Sequence, residues 1–230
     1  MSIVALFSGG KDSMYSIIKA REMKLSIDKL LFVIPTFSYP NPHELNHYVV
    51  EMLANDIGLL IEKVRLRKGM EVEDLAKKLR EMKAKALVAG DILLEEHLEW
   101  HEKVCRRVGI DLIEPLFGYD TRELLIQMVV RNNIEFTIIA INPSLLENLL
   151  GLTISKNNID WFLRLCESMN IDFLGERGEY HTLVNSSPIL RYRYEYRIEK
   201  VIQRGIYGKI ALVKPSNSSS QYLYHTSSYG

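Results

Sequence analysis

The chain has 230 residues, 47% of them hydrophobic and 25% charged, and its 29 Lys and Arg balance 29 Asp and Glu. That composition describes a globular chain with enough length to bury a core, which excludes general disorder. No apolar run reaches the ~18–20 residues of a bilayer span, and the balanced charge argues against a nucleic-acid partner.

The amino end, MSIVALFSGGKDS, lacks the basic start and apolar stretch of a signal peptide. Ile3–Phe7 reads as a buried strand, followed by Gly9-Gly10 and a helix from about Ser13 to Met23. Lys29–Ile34 is a second strand, stopped by Pro35, and a helix is predicted over Glu44–Asn55. Leu59–Val64 is a third strand, Val72–Met82 an amphipathic helix, and Ala86–Ala89 a fourth strand ending at Gly90-Asp91. Glu95–Val108 is helical and Asp111–Glu114 is a fifth strand. Strands alternating with helices of this length imply right-handed crossovers and a parallel sheet covered on both faces. Ligands of such sheets sit at the carboxyl ends of the strands. The loops at Ser8–Ser13, Pro35–His43 and Gly90–Glu95 therefore share one rim.

The pattern changes after Pro115. Thr121–Val130 and Asn158–Met169 read as helices, Phe136–Ile141 as a strand, and Arg197–Arg204 with Tyr207–Val213 as a hairpin turning near Gly205. Between them lies a polar stretch with two glycines, Gly175-Glu176-Arg177-Gly178-Glu179-Tyr180-His181-Thr182. From Pro215 onward no period is visible, which reads as a flexible tail. The division expected is a nucleotide-binding domain over 1–117, a smaller α+β substrate domain over 118–214, and a tail over 215–230.

The strongest chemical signal is Ser8-Gly9-Gly10-Lys11-Asp12-Ser13, between a buried strand and a helix. Two glycines let the backbone turn tightly and approach a ligand. Amides at the helix start then face an anion, with the helix dipole favouring negative charge. Ser8 and Ser13 add hydroxyls and Lys11 a positive charge, while Asp12 suits an anion only if a metal or a substrate amine intervenes, as a divalent cation bridging polyphosphate would. The spacing fits neither G-x-x-x-x-G-K-[ST] nor G-x-G-x-x-G.

This segment resembles the PP-loop of the N-type ATP pyrophosphatases, S-G-G-x-D-S, at every fixed position. The resemblance implies cleavage of ATP between its α and β phosphates, with Mg²⁺ as Lewis acid and no side-chain nucleophile. Gly90-Asp91-Ile92, then Glu102, Val104 and Cys105, Glu114-Pro115-Leu116-Phe117, and Gly178-Glu179-Tyr180-x-Thr182-Leu183-Val184 extend the likeness. Together they resemble the diphthine–ammonia ligase family over about residues 1–190. That implies an α/β fold with a parallel-sheet HUP-type (adenine nucleotide alpha hydrolase-like) domain and a smaller C-terminal α+β domain. It also implies ATP-dependent amidation, with ammonium, of the diphthine carboxylate on elongation factor 2, giving diphthamide, AMP and pyrophosphate. Three departures from the family pattern stand out: Arg177 for glycine, His181 for glutamate, and Trp100 for arginine. Ser38-Tyr39-Pro40-Asn41-Pro42-His43 matches the family's S-Y-M-x-H only loosely.

On this reading Ser8, Gly9, Gly10, Lys11, Asp12 and Ser13 bind the phosphates, and Lys11, Asp12 and Asp91 are the catalytic candidates, with Asp12 near Mg²⁺. Fold analogy puts the adenine near the strand end at Ile34. Glu176, Gly178, Glu179, Tyr180 and Thr182 shape the acceptor pocket, where carboxylates and an aromatic face suit the quaternary ammonium of diphthine. Asp91 has two readings, a contact to metal or substrate and a helix N-cap. His97 and His101 are four apart without the H-E-x-x-H order, which reads as a solvated helix face and no zinc site. Cys105 and Cys166 are expected to be packing residues in a reducing cytoplasm. Arg191, Arg193 and Arg197 read either as a basic stripe or as the wet face of a strand. Two other functions share the loop: a ligase for another carboxylate or for tRNA, and an ATP-binding regulator without turnover. Oligomeric state stays open between monomer and homodimer.

Overall fold

The computed structural model describes residues 2–36, 41–142, 147–203 and 208–216. Its first half runs β1 (Ser2–Leu6), α1 (Lys11–Glu22), β2 (Lys29–Pro35), α2 (Pro42–Leu45), α3 (His47–Ile57), β3 (Ile61–Leu66), α4 (Glu71–Glu81), β4 (Ala84–Val88), α5 (Glu95–Val108) and β5 (Asp111–Ile113). The five strands form one sheet in the order β3-β2-β1-β4-β5, and every pair in it is parallel. The chain moves outward from β1 to β2 and β3, then returns to β4 on the other side. The order reverses at β1, so the crevice of this sheet opens between the loops that follow β1 and β4.

Alternate residues of β1 feed two apolar layers, as a parallel strand covered on both faces requires. Val4 joins Leu31 and Leu87 against Leu75 and Leu79 of α4 and Val104 and Cys105 of α5. Ile3 and Ala5 face the opposite layer, with Met14 and Ile17 of α1 and Val50 and Leu53 of α3.

The second half comprises α6 (Thr121–Ile126), which continues through a π-helical turn at Gln127–Arg131, then β6 (Glu135–Ile141), β7 (Thr153–Ile154), α7 (Ile159–Met169), β8 (Tyr180–Ser186), β9 (Tyr196–Gln203) and β10 (Lys209–Pro215). β6 is the centre of an antiparallel sheet. β8 pairs along one side of it, while β7 and β10 pair on the other, and β9 extends from β10. Phe136, Ile138, Phe162, Leu183, Ala211 and Val213 of this half belong to the same buried cluster as α1 and α3. The two sheets therefore share one core. No helix among the described residues is long and apolar enough to cross a membrane.

Several expected elements change on folding. The helix expected over Glu44–Asn55 is broken at Asn46, whose side chain is fully buried and joins the two halves of the chain. Its amide nitrogen donates to the carbonyls of Pro42 and Ala211 at 2.9 and 3.0 Å, and its oxygen accepts from Val213 N at 2.9 Å. β8 was hidden in sequence because Thr182 and Asn185 point inward. Asn185 is satisfied there by the Thr137 hydroxyl at 2.8 Å and the Tyr194 carbonyl at 2.9 Å. Arg193 pairs with Glu135 and Glu195, and Arg197 lies 3.8 Å from Glu199; these cations are partnered on a wet surface. The turn near Gly205 and residues 217–230 of the expected tail lie outside the described residues.

Asn46→Ala strands the buried Val213 amide and two carbonyls. The expected loss is about 2–4 kcal/mol of unfolding free energy, read by urea denaturation; a change below the error of the midpoint would show that these bonds do not hold α2–α3 to β10.

Candidate active site

The loop after β1 is shaped by its own residues. Gly9 has φ +76°, a left-handed conformation that glycine adopts without strain. The Ser8 hydroxyl accepts from Gly10 N at 3.3 Å, and the Ser13 hydroxyl accepts from Ser8 N at 3.2 Å and donates to the Gly10 carbonyl at 3.0 Å. A Cβ on Gly10 would come within 3.2 Å of His43 Cε1 and the Thr182 carbonyl, so the bare backbone is what lets these groups close around it. Gly90 does the same after β4, where a Cβ would stand 3.0 Å from the Asp12 carbonyl oxygen.

The second half of the chain braces this loop. Val184 N of β8 donates to the Gly9 carbonyl at 2.9 Å, and Lys11 N donates to the Thr182 hydroxyl at 3.1 Å. One unpaired amide of the first turn of α1 is thereby satisfied from β8. The Lys11 side chain also turns that way. It is 2% exposed, and its ammonium donates to the Leu174 carbonyl and to Asp12 Oδ2, 5.0 Å from the centre of the Tyr180 ring. The sequence reading aimed this charge along the loop at an anion; the structure lodges it beneath the loop, in a pocket made by a carbonyl, a carboxylate and an aromatic face. Asp12 Oδ1 is buried without a hydrogen-bond partner in the protein. Burial raises the Asp12 pKa, and the neighbouring Lys11 offsets part of that rise.

Residues 172–179 form the facing wall. Asp172 accepts from Leu174 N and Glu176 N at 2.9 and 3.2 Å through one oxygen and from the Thr121 hydroxyl at 2.8 Å through the other. Glu179 accepts from Asp172 N and Arg177 N, each at 3.0 Å. Expected to face an acceptor, Glu179 instead is 5% exposed, with both oxygens occupied by amides of its own loop, and it does not line the cavity. The Tyr180 hydroxyl donates to the Phe173 carbonyl at 2.6 Å, and its ring faces Lys11 in place of an outside cation.

Both walls enclose a cavity of about 580 Å³ lined by Ser8, Gly10 to Ser13, Asp91, Glu176, Gly178, Tyr180 and Thr182, among others. Gly9 does not reach it, because its role is the turn itself. Ile34 is also absent: it is 3% exposed within the core, and Leu31, Phe32 and Val33 contribute the β2 wall in its place. Residues 37–40, which carry part of the loose S-Y-M-x-H likeness, lie outside the described residues. His43, at the end of that segment, packs edge-on to His181 with ring centres 5.5 Å apart. Burial pushes His43 down to about 4, and burial, His43 and Lys11 push His181 down to about 3. Both rings are neutral near pH 7. Asp172, an isolated polar residue, carries no spacing signal in sequence, and His43 enters there only as the last residue of the loose S-Y-M-x-H likeness.

Asp91 faces the cavity from the loop after β4. Its carboxylate meets His97 Nδ1 at 2.8 Å and His101 Nδ1 at 3.2 Å, and His101 Nδ1 lies 2.9 Å from Glu114. Burial pushes Asp91 up, but His97 and His101 outweigh it and hold the carboxyl below its ordinary value. The N-cap of α5 is Leu94, without a side-chain cap bond, so Asp91 is not an N-cap. His101, expected on a solvated face, is 5% exposed, because it shares the inward stripe of α5 with Val104 and Cys105. Cys105 and Cys166 are free and buried, and burial lifts their thiols to about 11 and about 12.

Glu176 carries the clearest electrostatic signature. Burial first, then the charges of Asp12 and Asp91, raise it from 4.5 to about 7 against the pull of Lys11. Between those two values the folded chain binds a proton that the unfolded chain has lost, so this group lowers stability as pH rises from 4.5 to about 7. Glu176→Gln is expected to remove that share, gaining on wild type across the window and running parallel above it. Thermal melts from pH 5 to pH 8 read this out, and parallel curves throughout would contradict the assignment.

Residues 1–112 match the family model described as the diphthamide synthase N-terminal domain, and residues 120–213 match the C-terminal domain of the same family. The chain is 26% identical to the diphthine–ammonia ligase of Rattus norvegicus over 218 residues, covering 83% of this chain and 81% of that one. The Homo sapiens protein of the same name gives the same figures. The Schizosaccharomyces pombe protein is longer: its match covers 93% of this chain and 39% of that one, at 26% identity. With both of its halves matched in order, and with the PP-loop and the 172–179 loop forming two walls of one cavity, the chain belongs to the diphthamide synthase family.

Proposed function

We propose that this protein uses ATP to activate the diphthine carboxylate of elongation factor 2 and transfers the activated acyl group to ammonia. As a ligase of its family it forms a C–N bond at the expense of ATP. The observation that carries the reading is the joining of the two walls: Lys11 N to Thr182 and Val184 N to the Gly9 carbonyl hold a phosphate loop and an acceptor loop against one another.

The chemistry divides into two displacements. A carboxylate oxygen of the acceptor attacks the α phosphorus as the bond to the β-phosphate oxygen breaks, giving an acyl-adenylate and pyrophosphate. Ammonia then attacks the acyl carbon, AMP departs with the bonding pair, and the nitrogen loses a proton. Ser8, Gly10, Ser13 and the start of α1 are suited to hold the departing phosphates through hydroxyls, amides and the helix dipole. Glu176, brought to about 7, is matched to accept the proton near neutral pH. In its ionised form it also suits the quaternary ammonium of diphthine, a role that Glu179, with both oxygens held by amides of its own loop, does not share. His43 and His181, both neutral, add hydrogen-bonding groups without adding charge.

The residues present fit a magnesium ion. Asp12 keeps a buried, unpartnered oxygen, and Asp12 and Asp91 raise Glu176 by crowding negative charge into one chamber. Asp12 would hold the ion, which when bound neutralises polyphosphate charge as a Lewis acid.

Incubation with ATP, Mg²⁺, ammonium and diphthine-bearing elongation factor 2 is expected to yield AMP, pyrophosphate and amidated factor in equal amounts. Asp12→Asn should slow AMP release by ~10²-fold or more while leaving the fold intact. Lys11→Ala should lower both activity and stability, since it empties a buried cation pocket. AMP without amidated factor would redirect the acceptor to another carboxylate or to tRNA. Binding of ATP with no AMP formed would favour a regulator.

A further inference from the structure

At one side of the cavity wall, three side chains converge on one point. Asp91 follows β4, His101 lies within α5, and Glu114 follows β5. β4 and β5 are parallel neighbours, with Val88 opposite Ile113, so their carboxyl ends deliver both carboxylates to the same place. His101 Nδ1 lies 3.2 Å from Asp91 Oδ2 and 2.9 Å from Glu114 Oε1. One donor atom from each of the three falls within 4.8 Å of the other two.

Hydrogen bonding within the protein leaves this cluster incomplete. A single imidazole nitrogen carries at most one hydrogen, yet two carboxylates approach it. The second Glu114 oxygen is buried with no hydrogen-bond partner in the protein, on a side chain that is 5% exposed. Carboxylates buried in this way call for pairing or for a metal ion. A cation in place of the shared proton would meet the Nδ1 lone pair and oxygens of both carboxylates together. One imidazole with two carboxylates is a donor set for a first-row divalent metal such as Zn²⁺, and a poor one for Mg²⁺, which prefers oxygen donors and retained waters.

We propose that Asp91, His101 and Glu114 form a divalent transition-metal site in the wall of the cavity, distinct from the magnesium ion that accompanies the nucleotide. Asp91 and His97 both line the cavity, and His97 Nδ1 is 2.8 Å from the Asp91 oxygen that does not face His101. A solvent molecule or a fourth ligand can therefore reach the site from the chamber. The metal would pin the β4 loop, α5 and the end of β5 to one another and fix the wall that carries Asp91.

Chelator-stripped full-length protein, returned to buffer with millimolar Mg²⁺, is loaded with Zn²⁺ or Co²⁺ and passed over gel filtration. The expected result is one retained equivalent of Zn²⁺, visible d–d bands with Co²⁺, and a loss of Zn²⁺ affinity of ~10-fold or more in His101→Gln and Glu114→Gln. Asp12→Asn, which leaves these three ligands in place, keeps the wild-type affinity. Wild-type protein that retains neither metal, or variants that bind as tightly as wild type, overturn the proposal and leave His101 as a hydrogen-bonded clasp between two carboxylates. Should His101→Gln fail to fold, paramagnetically shifted imidazole ring protons in the Co²⁺-loaded wild type decide the matter, and their absence likewise overturns it. No nucleotide or elongation factor enters the measurement, so its failure is separate from a failure of the amidation reading.

Discussion

The whole arrangement depends on one tether, from the turn after β1 to strand β8. Val184 N reaches the Gly9 carbonyl, Thr182 receives Lys11 N, and the Lys11 ammonium reaches the Leu174 carbonyl. The first two satisfy backbone groups that a glycine-rich turn at a helix start would otherwise leave unpaired, and the third pairs the buried Lys11 ammonium. A loop of this kind has few side chains of its own to hold its shape. Here the rigidity is borrowed from a strand in the other half of the chain, and the shared apolar core beneath it keeps that strand in register. The two walls of the cavity are thus one mechanical unit.

Electrostatics in the cavity follow from where Lys11 goes. With its ammonium held between the Leu174 carbonyl and Asp12, Lys11 offsets part of the negative charge that Asp12, Asp91 and Glu176 bring to the chamber. Asp91 is settled by His97 and His101. Glu176 responds by holding its proton to about 7. The neutral pair His43 and His181 adds no charge of either sign at neutral pH. A chamber of this character suits a ligand that brings cations with it, and magnesium-bound triphosphate and a quaternary ammonium both do so.

The departures from the family pattern have physical readings. The positive-φ positions of the 172–179 loop are Gly175 at +76° and Gly178 at +83°. Position 177 lies outside that conformation, so Arg177 stands there without backbone strain, its amide held by Glu179. His181 in place of a glutamate removes one negative charge from a chamber that already holds three carboxylates. Trp100 packs beside the second apolar layer and stands 5.0 Å from the His101 ring, on the flank of the Asp91–His101–Glu114 cluster.

By itself the sequence determined the features that are local. Apolar runs alternating with helical periods specified the parallel sheet, and the carboxyl-end rule placed Ser8–Ser13 and Gly90-Asp91 on one rim. The spacing of two glycines before a helix specified the turn after β1, because a tight turn and a helix start need only neighbouring residues. Tertiary structure alone decided the direction of Lys11, the inward turn of Glu179, the absence of Ile34 from the cavity, the existence of β8 and the burial of His101. In each case the deciding partner lies far along the chain or across a loop closure: Leu174 and Thr182 for Lys11, the amides of Asp172 and Arg177 for Glu179, Glu114 for His101. A polar side chain takes the direction in which its hydrogen bonds are met, and residue spacing carries no record of partners that only folding brings near.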